Sequence, residues 1–176
     1  GALHVAGVPL QDIFVLLGPG VPPVQLGPHT TAYTLYFLNG LRTTYPELNL
    51  ESFLTDVGRY WLERARTECL LSLADEVTAR DVAIGDLFAR PLAQIPGLHE
   101  LLTSYTGLPE SGYDRPLFLG QGLFDTDVVT PETLRFAAVL TANRQPVTVR
   151  VYPTDHSGAV NASLPDSLRF VHGLFT

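Results

Sequence analysis

The chain has 176 residues, the size of one ordinary domain with enough length to bury a substantial core. Its 45% hydrophobic and 16% charged residues exclude a disordered or heavily solvated chain, and no apolar run approaches the roughly 20 residues that span a bilayer. A formal net charge of −7, with every basic residue an arginine, argues against nucleic acid and anionic membranes as partners and suits a neutral or apolar ligand.

In chain order, residues 1–7 (GALHVAG) read as a short buried strand. A domain rarely opens on such a strand without neighbours, so a further N-terminal portion of the core is expected outside these residues. No basic leader with an apolar stretch stands at the N-terminus, which puts any signal peptide outside this chain as well. Residues 8–27 are apolar but broken by Pro9, Pro19, Pro22 and Pro23, predicting an irregular rather than helical segment. Helical patterning starts at Thr31 and runs to Arg42. A longer amphipathic stretch follows, with Leu54, Val57, Trp61, Ala65 and Cys69 on one stripe and Glu63, Arg64, Arg66 and Glu68 largely off it. Weaker helices are expected at Ala79–Ala89 and Leu98–Thr103, then a turn-rich hinge from Gly107 to Gly112. Residues 8–113 thus read as mainly helical, without an evident strand. Cys69 is either a small buried apolar residue of its helix or half of a disulfide with a partner elsewhere.

The last third changes character. Pro116–Gly122 reads as a buried strand running into a loop. Thr130 at a cap, Pro131 at the first helical position and Glu132 in the first turn predict a helix to about Asn143, with Leu134, Phe136, Ala137, Val139 and Leu140 apolar. Pro146–Tyr152 alternates as a strand does. After a polar loop, Ser163 to Asp166 offers a capping-box-like start to a last helix. Strand, helix, strand, helix in this order implies a right-handed parallel βαβ unit and an α/β fold class.

In such a sheet, chemistry gathers in the loops at the carboxyl ends of the strands. One loop carries Asp125 and Asp127 between Gly122 and Pro131, and the other carries Asp155, His156 and Ser157 after Tyr152. Neighbouring strands would bring them side by side, so that an acid accepts from the imidazole and fixes its tautomer. Asp125 and Asp127 are both candidates for that acid; alone, each would pass for a turn residue. His4, His29, His99 and His172 lack such a setting, whereas His156 lies in a polar loop within reach of solvent.

Here a resemblance becomes specific. Residues 116–129 (PLFLGQGLFDTDVV) look like the α/β-hydrolase segment in which a strand leads into Gly-x-x-Asp-x-x-Val. Residues 147–158 (VTVRVYPTDHSG) resemble the matching strand that ends in tyrosine and Asp-His. The opening residues 1–12 are similar to the strand after the nucleophile helix of secretory, lipase-A-like lipases. That family inserts a helical cap before the acid-bearing strand, and residues 45–50 (YPELNL) and 54–58 (LTDVG) look like it. The resemblance implies the C-terminal half of an α/β-hydrolase fold, with residues 1–7 and 114–176 in the core and 8–113 as cap or lid. It further implies a secreted lipase or esterase with an ester or lipid substrate, no metal or organic cofactor, and Asp125 and His156 in its triad. The family places its catalytic acid three residues after the glycine, which favours Asp125 and leaves Asp127 as a loop-capping or supporting carboxylate.

One part of the pattern is missing. No Gly-x-Ser-x-Gly elbow occurs in the chain. Ser104 lacks the leading glycine and a preceding strand, and Ser157 adjoins the histidine without an elbow. The nucleophile and oxyanion-hole donors are therefore expected from an N-terminal half outside these residues, and this chain alone is not expected to hydrolyse esters. A peptidase or amidase of the same fold, and a non-catalytic binding or assembly module, stay open as alternatives. The cap aromatics Tyr33, Tyr36, Phe37, Phe53 and Trp61 could line an acyl site or simply pack helices. Asn161-Ala-Ser163 forms a glycosylation sequon, a triplet too common to carry weight.

Overall fold

A computed structural model describes residues 17–20 and 29–175. The strand expected at residues 1–7 and most of the irregular segment at 8–27 lie outside the described residues. The rest divides into two compact units, one of residues 17–20 and 29–107, the other of residues 108–175.

The first unit is helical. Helix α1, Thr30–Thr44, buries Ala32, Leu35, Leu38 and Leu41 at the three-and-four spacing of an amphipathic face. Helix α2, Asp56–Arg64, is capped by Thr55, whose hydroxyl accepts from the Gly58 N–H at 3.0 Å and donates to the Asp86 carbonyl at 2.6 Å. The stripe predicted to continue to Cys69 instead ends with α2. Leu54 is buried but extended, bridging Phe88 in an isolated antiparallel pair, Val57 is exposed, and Trp61 and Ala65 stay buried. The chain then turns and restarts as α3, Leu70–Ala79. Arg64, which lies off the predicted apolar stripe, holds this corner by donating to both Glu76 oxygens at 2.7 and 2.8 Å. Cys69 is consequently not buried; it is exposed at the N-cap of α3.

The helix expected at 79–89 is replaced by a left-handed residue, Asp81 at φ 52°, and a 3-10 turn over Ile84–Leu87. That turn packs so closely on α2 that a Cβ at Gly58 would lie 2.1 Å from the Leu87 carbonyl oxygen, which only glycine permits. Helix α4 spans Leu98–Thr106. Leu35, Leu38, Leu62, Leu73, Leu87, Leu92 and Leu102 are fully buried in one core, each contributing about 1.5–3 kcal/mol by removal from water. Phe53 and Trp61 belong to this core and Tyr36 and Phe37 pack against it, while Tyr33 is exposed.

The second unit is α/β. Strand β1, Leu117–Gly122, pairs in parallel with β2, Val147–Tyr152, in register from Leu117 opposite Val147 to Gly122 opposite Tyr152. Helix α5, Thr130–Ala142, connects them and buries Phe136, Ala137 and Leu140 against Leu117 and Leu119, with Val147 and Val149 packed alongside. Helix α6, His156–His172, covers the opposite row of β1. There the Phe118 and Phe170 rings lie 5.5 Å apart, and a Cβ at Gly120 would touch Ser163 at 3.2 Å. The fold is thus mixed α/β, a two-stranded parallel sheet with flanking helices among the described residues. No helix among them is long and apolar enough to cross a membrane.

Two helix starts differ from expectation. Thr130 does not cap α5; Val129 occupies that position, and the threonine hydroxyl turns back to the strand. Helix α6 begins at His156 rather than near Ser163, because Asp155 supplies the cap by accepting from the Gly158 N–H at 2.8 Å. Pro165, within the Ser163–Asp166 segment read as the helix start, lies inside the helix.

Candidate active site

Parallel, in-register pairing delivers the ends of β1 and β2 to the same level, so their following loops leave the sheet together. The ladder continues past the strands: the Leu123 N–H donates to the Tyr152 carbonyl at 2.7 Å and the Phe124 N–H to the Thr154 carbonyl at 3.0 Å. Gly122 is what permits this approach. A Cβ there would stand 2.6 Å from the Asp155 carbonyl oxygen and 2.7 Å from that of Thr154. Leu123 and Phe124 keep large exposed side chains beside the junction.

Across this junction His156 Nδ1 lies 2.9 Å from Asp125 Oδ2. A carboxylate only accepts, so Nδ1 carries the proton and donates it, leaving Nε2 as the ring's basic nitrogen. The pair is asymmetric in exposure, with 5% of the Asp125 side chain and 44% of the His156 side chain accessible to solvent. The acid is held from within and the imidazole presents itself outward. Asp125 Oδ1 accepts the backbone N–H of Asp127 at 2.9 Å and of Val128 at 2.8 Å, which fixes the carboxylate's rotation and turns Oδ2 to the ring.

Asp125 and His156, singled out from the sequence, are therefore together, each at the end of a strand. Asp127 supports Asp125 through its backbone N–H. His29 stands at the N-cap of α1, His99 in α4 and an exposed His172 at the end of α6, while His4 lies outside the described residues. Ser157 is exposed on the first turn of α6, and the Ser104 hydroxyl is spent on the Leu101 carbonyl at 2.8 Å. Asn161 is exposed on α6.

Three supporting residues escaped the sequence reading. Gln121 and Thr130 are buried behind Asp125, where the threonine hydroxyl donates to the Gly122 carbonyl at 2.7 Å. A glutamine on the same strand row as Leu117 and Leu119 was the available signal. Tyr152 donates to Asp166 Oδ2 at 2.8 Å and so ties β2 to α6, the helix that begins with His156. Burial first, and this hydrogen bond second, push the Tyr152 phenol up to about 12. Among the described residues no three His, Cys, Asp or Glu side chains gather so as to hold a metal ion. Comparison with known protein families, curated proteins and solved structures finds no match to this chain.

Proposed function

We propose that this chain provides the acid and the histidine of a serine carboxylic-ester hydrolase of the lipase or esterase type, on the C-terminal part of an α/β-hydrolase fold. The observation that carries the reading is the 2.9 Å contact between Asp125, in the loop after β1, and His156, the first residue of α6 after the adjacent parallel strand β2. The half-exposed imidazole, with its Nδ1 proton committed to the acid, is suited to act as a general base through Nε2. The nucleophile is a serine carried by polypeptide outside these residues, because no serine of the chain stands in an elbow sequence.

In the completed site the serine oxygen attacks the ester carbonyl while Nε2 of His156 takes its proton. The tetrahedral intermediate collapses as the imidazolium returns that proton to the leaving alcohol. Water, deprotonated by the same nitrogen, then attacks the acyl-serine carbonyl, and the acyl–serine bond breaks as the imidazolium returns that proton to the serine oxygen and the acid is released. Asp125 holds the ring in the working tautomer and stabilises the imidazolium throughout.

The test is hydrolysis of a short-chain acyl ester by this chain joined to a segment carrying Gly-x-Ser-x-Gly. His156→Ala is expected to reduce kcat by about 10⁴-fold or more with the fold intact. Turnover retained in that variant would overturn the assignment. Cleavage of peptides in preference to esters would move it to an amidase.

A further inference from the structure

Asp125 is half of a pair, and its loop must be held if that pair is to form. The loop leaves β1 after Gly122 and enters α5 at Thr130, and Gln121 lies beneath it, 3% exposed on the row that otherwise carries Leu117 and Leu119. A side-chain amide at such a position is tolerated only if its hydrogens are used.

Gln121 Nε2 has two hydrogens and four acceptors within reach. They are the Gly122 carbonyl at 2.9 Å, the Val128 carbonyl at 3.0 Å, Thr130 Oγ1 at 3.3 Å and Asp125 Oδ2 at 3.4 Å. The two shortest have the geometry of strong hydrogen bonds, and the contact to Asp125 is longer than one. The leverage of Gln121 is therefore over the loop more than over the carboxylate. Gly122 opens the loop and Val128 closes it, and the Val128 N–H is itself one of the two donors that orient Asp125. Thr130 adds a second grip on the Gly122 carbonyl.

We infer that Gln121 is a positioning residue, clamping both ends of the acid loop so that Asp125 Oδ2 stays in register with His156 Nδ1. The inference rests on the Asp125–His156 pair described above. Gln121→Met would fill the same space yet leave the Val128 carbonyl without its donor. Gln121→Asn would keep the amide but withdraw it by one carbon.

The experiment is NMR of the full chain with ring-labelled histidine, following the low-field proton on Nδ1 of His156, assigned by its loss in His156→Ala. In both Gln121 variants this proton is expected to move upfield and to exchange with water about tenfold faster, the factor that loss of one ordinary hydrogen bond allows. Leu119→Ala, which removes buried bulk from the same strand row, is the control; it should lower the melting temperature and leave the proton in place. A proton unmoved in Gln121→Met and Gln121→Asn, or moved no further than in the control, overturns the role of Gln121 and leaves the pair standing. Absence of the proton from the unaltered chain overturns the pair and the inference together. Ester hydrolysis enters neither result, so failure of the hydrolase reading would show separately.

Discussion

An asparagine at position 125 separates what the carboxylate does for folding from what it does for chemistry. Its amide oxygen could still accept the N–H groups of Asp127 and Val128, which now satisfy Oδ1. Its NH2 would then face His156 Nδ1, and the proton would have to move to Nε2, the nitrogen needed as base. On the proposed hydrolase reading, Asp125→Asn should therefore lose about 10⁴-fold in kcat with little change in melting temperature. Activity measured alongside thermal unfolding checks both halves of that statement. Gly122 acts through space rather than charge. A methyl group there would meet two carbonyl oxygens inside 3.0 Å, and neither belongs to a flexible side chain. Gly122→Ala is expected to destabilise the chain by about 1–3 kcal/mol by overpacking and to part the two loops. Urea unfolding would show the first effect, and weakening of the His156 Nδ1 proton signal the second.

At the scale of elements, helix α6 matters most because its first residue is His156. Where it starts is decided by Asp155 as cap and Gly158 beneath it, since a Cβ at Gly158 would stand 1.9 Å from Thr154 Oγ1. Where it lies on the sheet is set in part by the Tyr152–Asp166 bond. The folded chain holds the Tyr152 proton up to about 12, against 10.0 for an unperturbed tyrosine. A folded-state value raised in this way means stability that is present in full below pH 10.0 and lost as pH rises through about 12. The difference in unfolding free energy between the unaltered chain and Tyr152→Phe should thus be constant at neutral pH and shrink across that window. A difference independent of pH would show that the phenol is not held there. Pro165 is the element's internal cost, since a proline inside a helix lacks the N–H for the preceding turn and crowds its carbonyl. Pro165→Ala should stabilise by about 1–2 kcal/mol, less than the full penalty because the unfolded chain gains freedom too. A lower urea midpoint would instead mean that the proline's bend seats α6 on β1.

For the molecule as a whole, charge and composition act without regard to fold. Eighteen acidic residues against eleven arginines leave a protein that repels polyanions at neutral pH. The elements were legible wherever local pattern coincided with burial. Both strands, the α5 crossover and the approximate extents of α1 and α4 follow from alternation and from three-and-four spacing. The break after α2 was not legible, because Arg64 meets Glu76 only when two helices pack, and the apolar stripe ran on past the turn. The buried reading of Cys69 failed for the same reason. The last helix was placed too late because Ser163 to Asp166 resembles a capping box until Asp155 is seen accepting from the Gly158 N–H. By itself the sequence determined the α/β order of the last third and that an acid and a histidine stand in loops after consecutive strands. It equally determined that no elbow serine accompanies them. Only the tertiary structure decided that Asp125, through its side chain, meets the ring while Asp127 contributes a backbone N–H, and that Gln121 and Thr130 are buried beneath the loop that carries the acid. These outcomes depend on strand register, on the close approach at Gly122 and on the first turn of α6. They are distances between residues far apart in the chain, which no local pattern encodes.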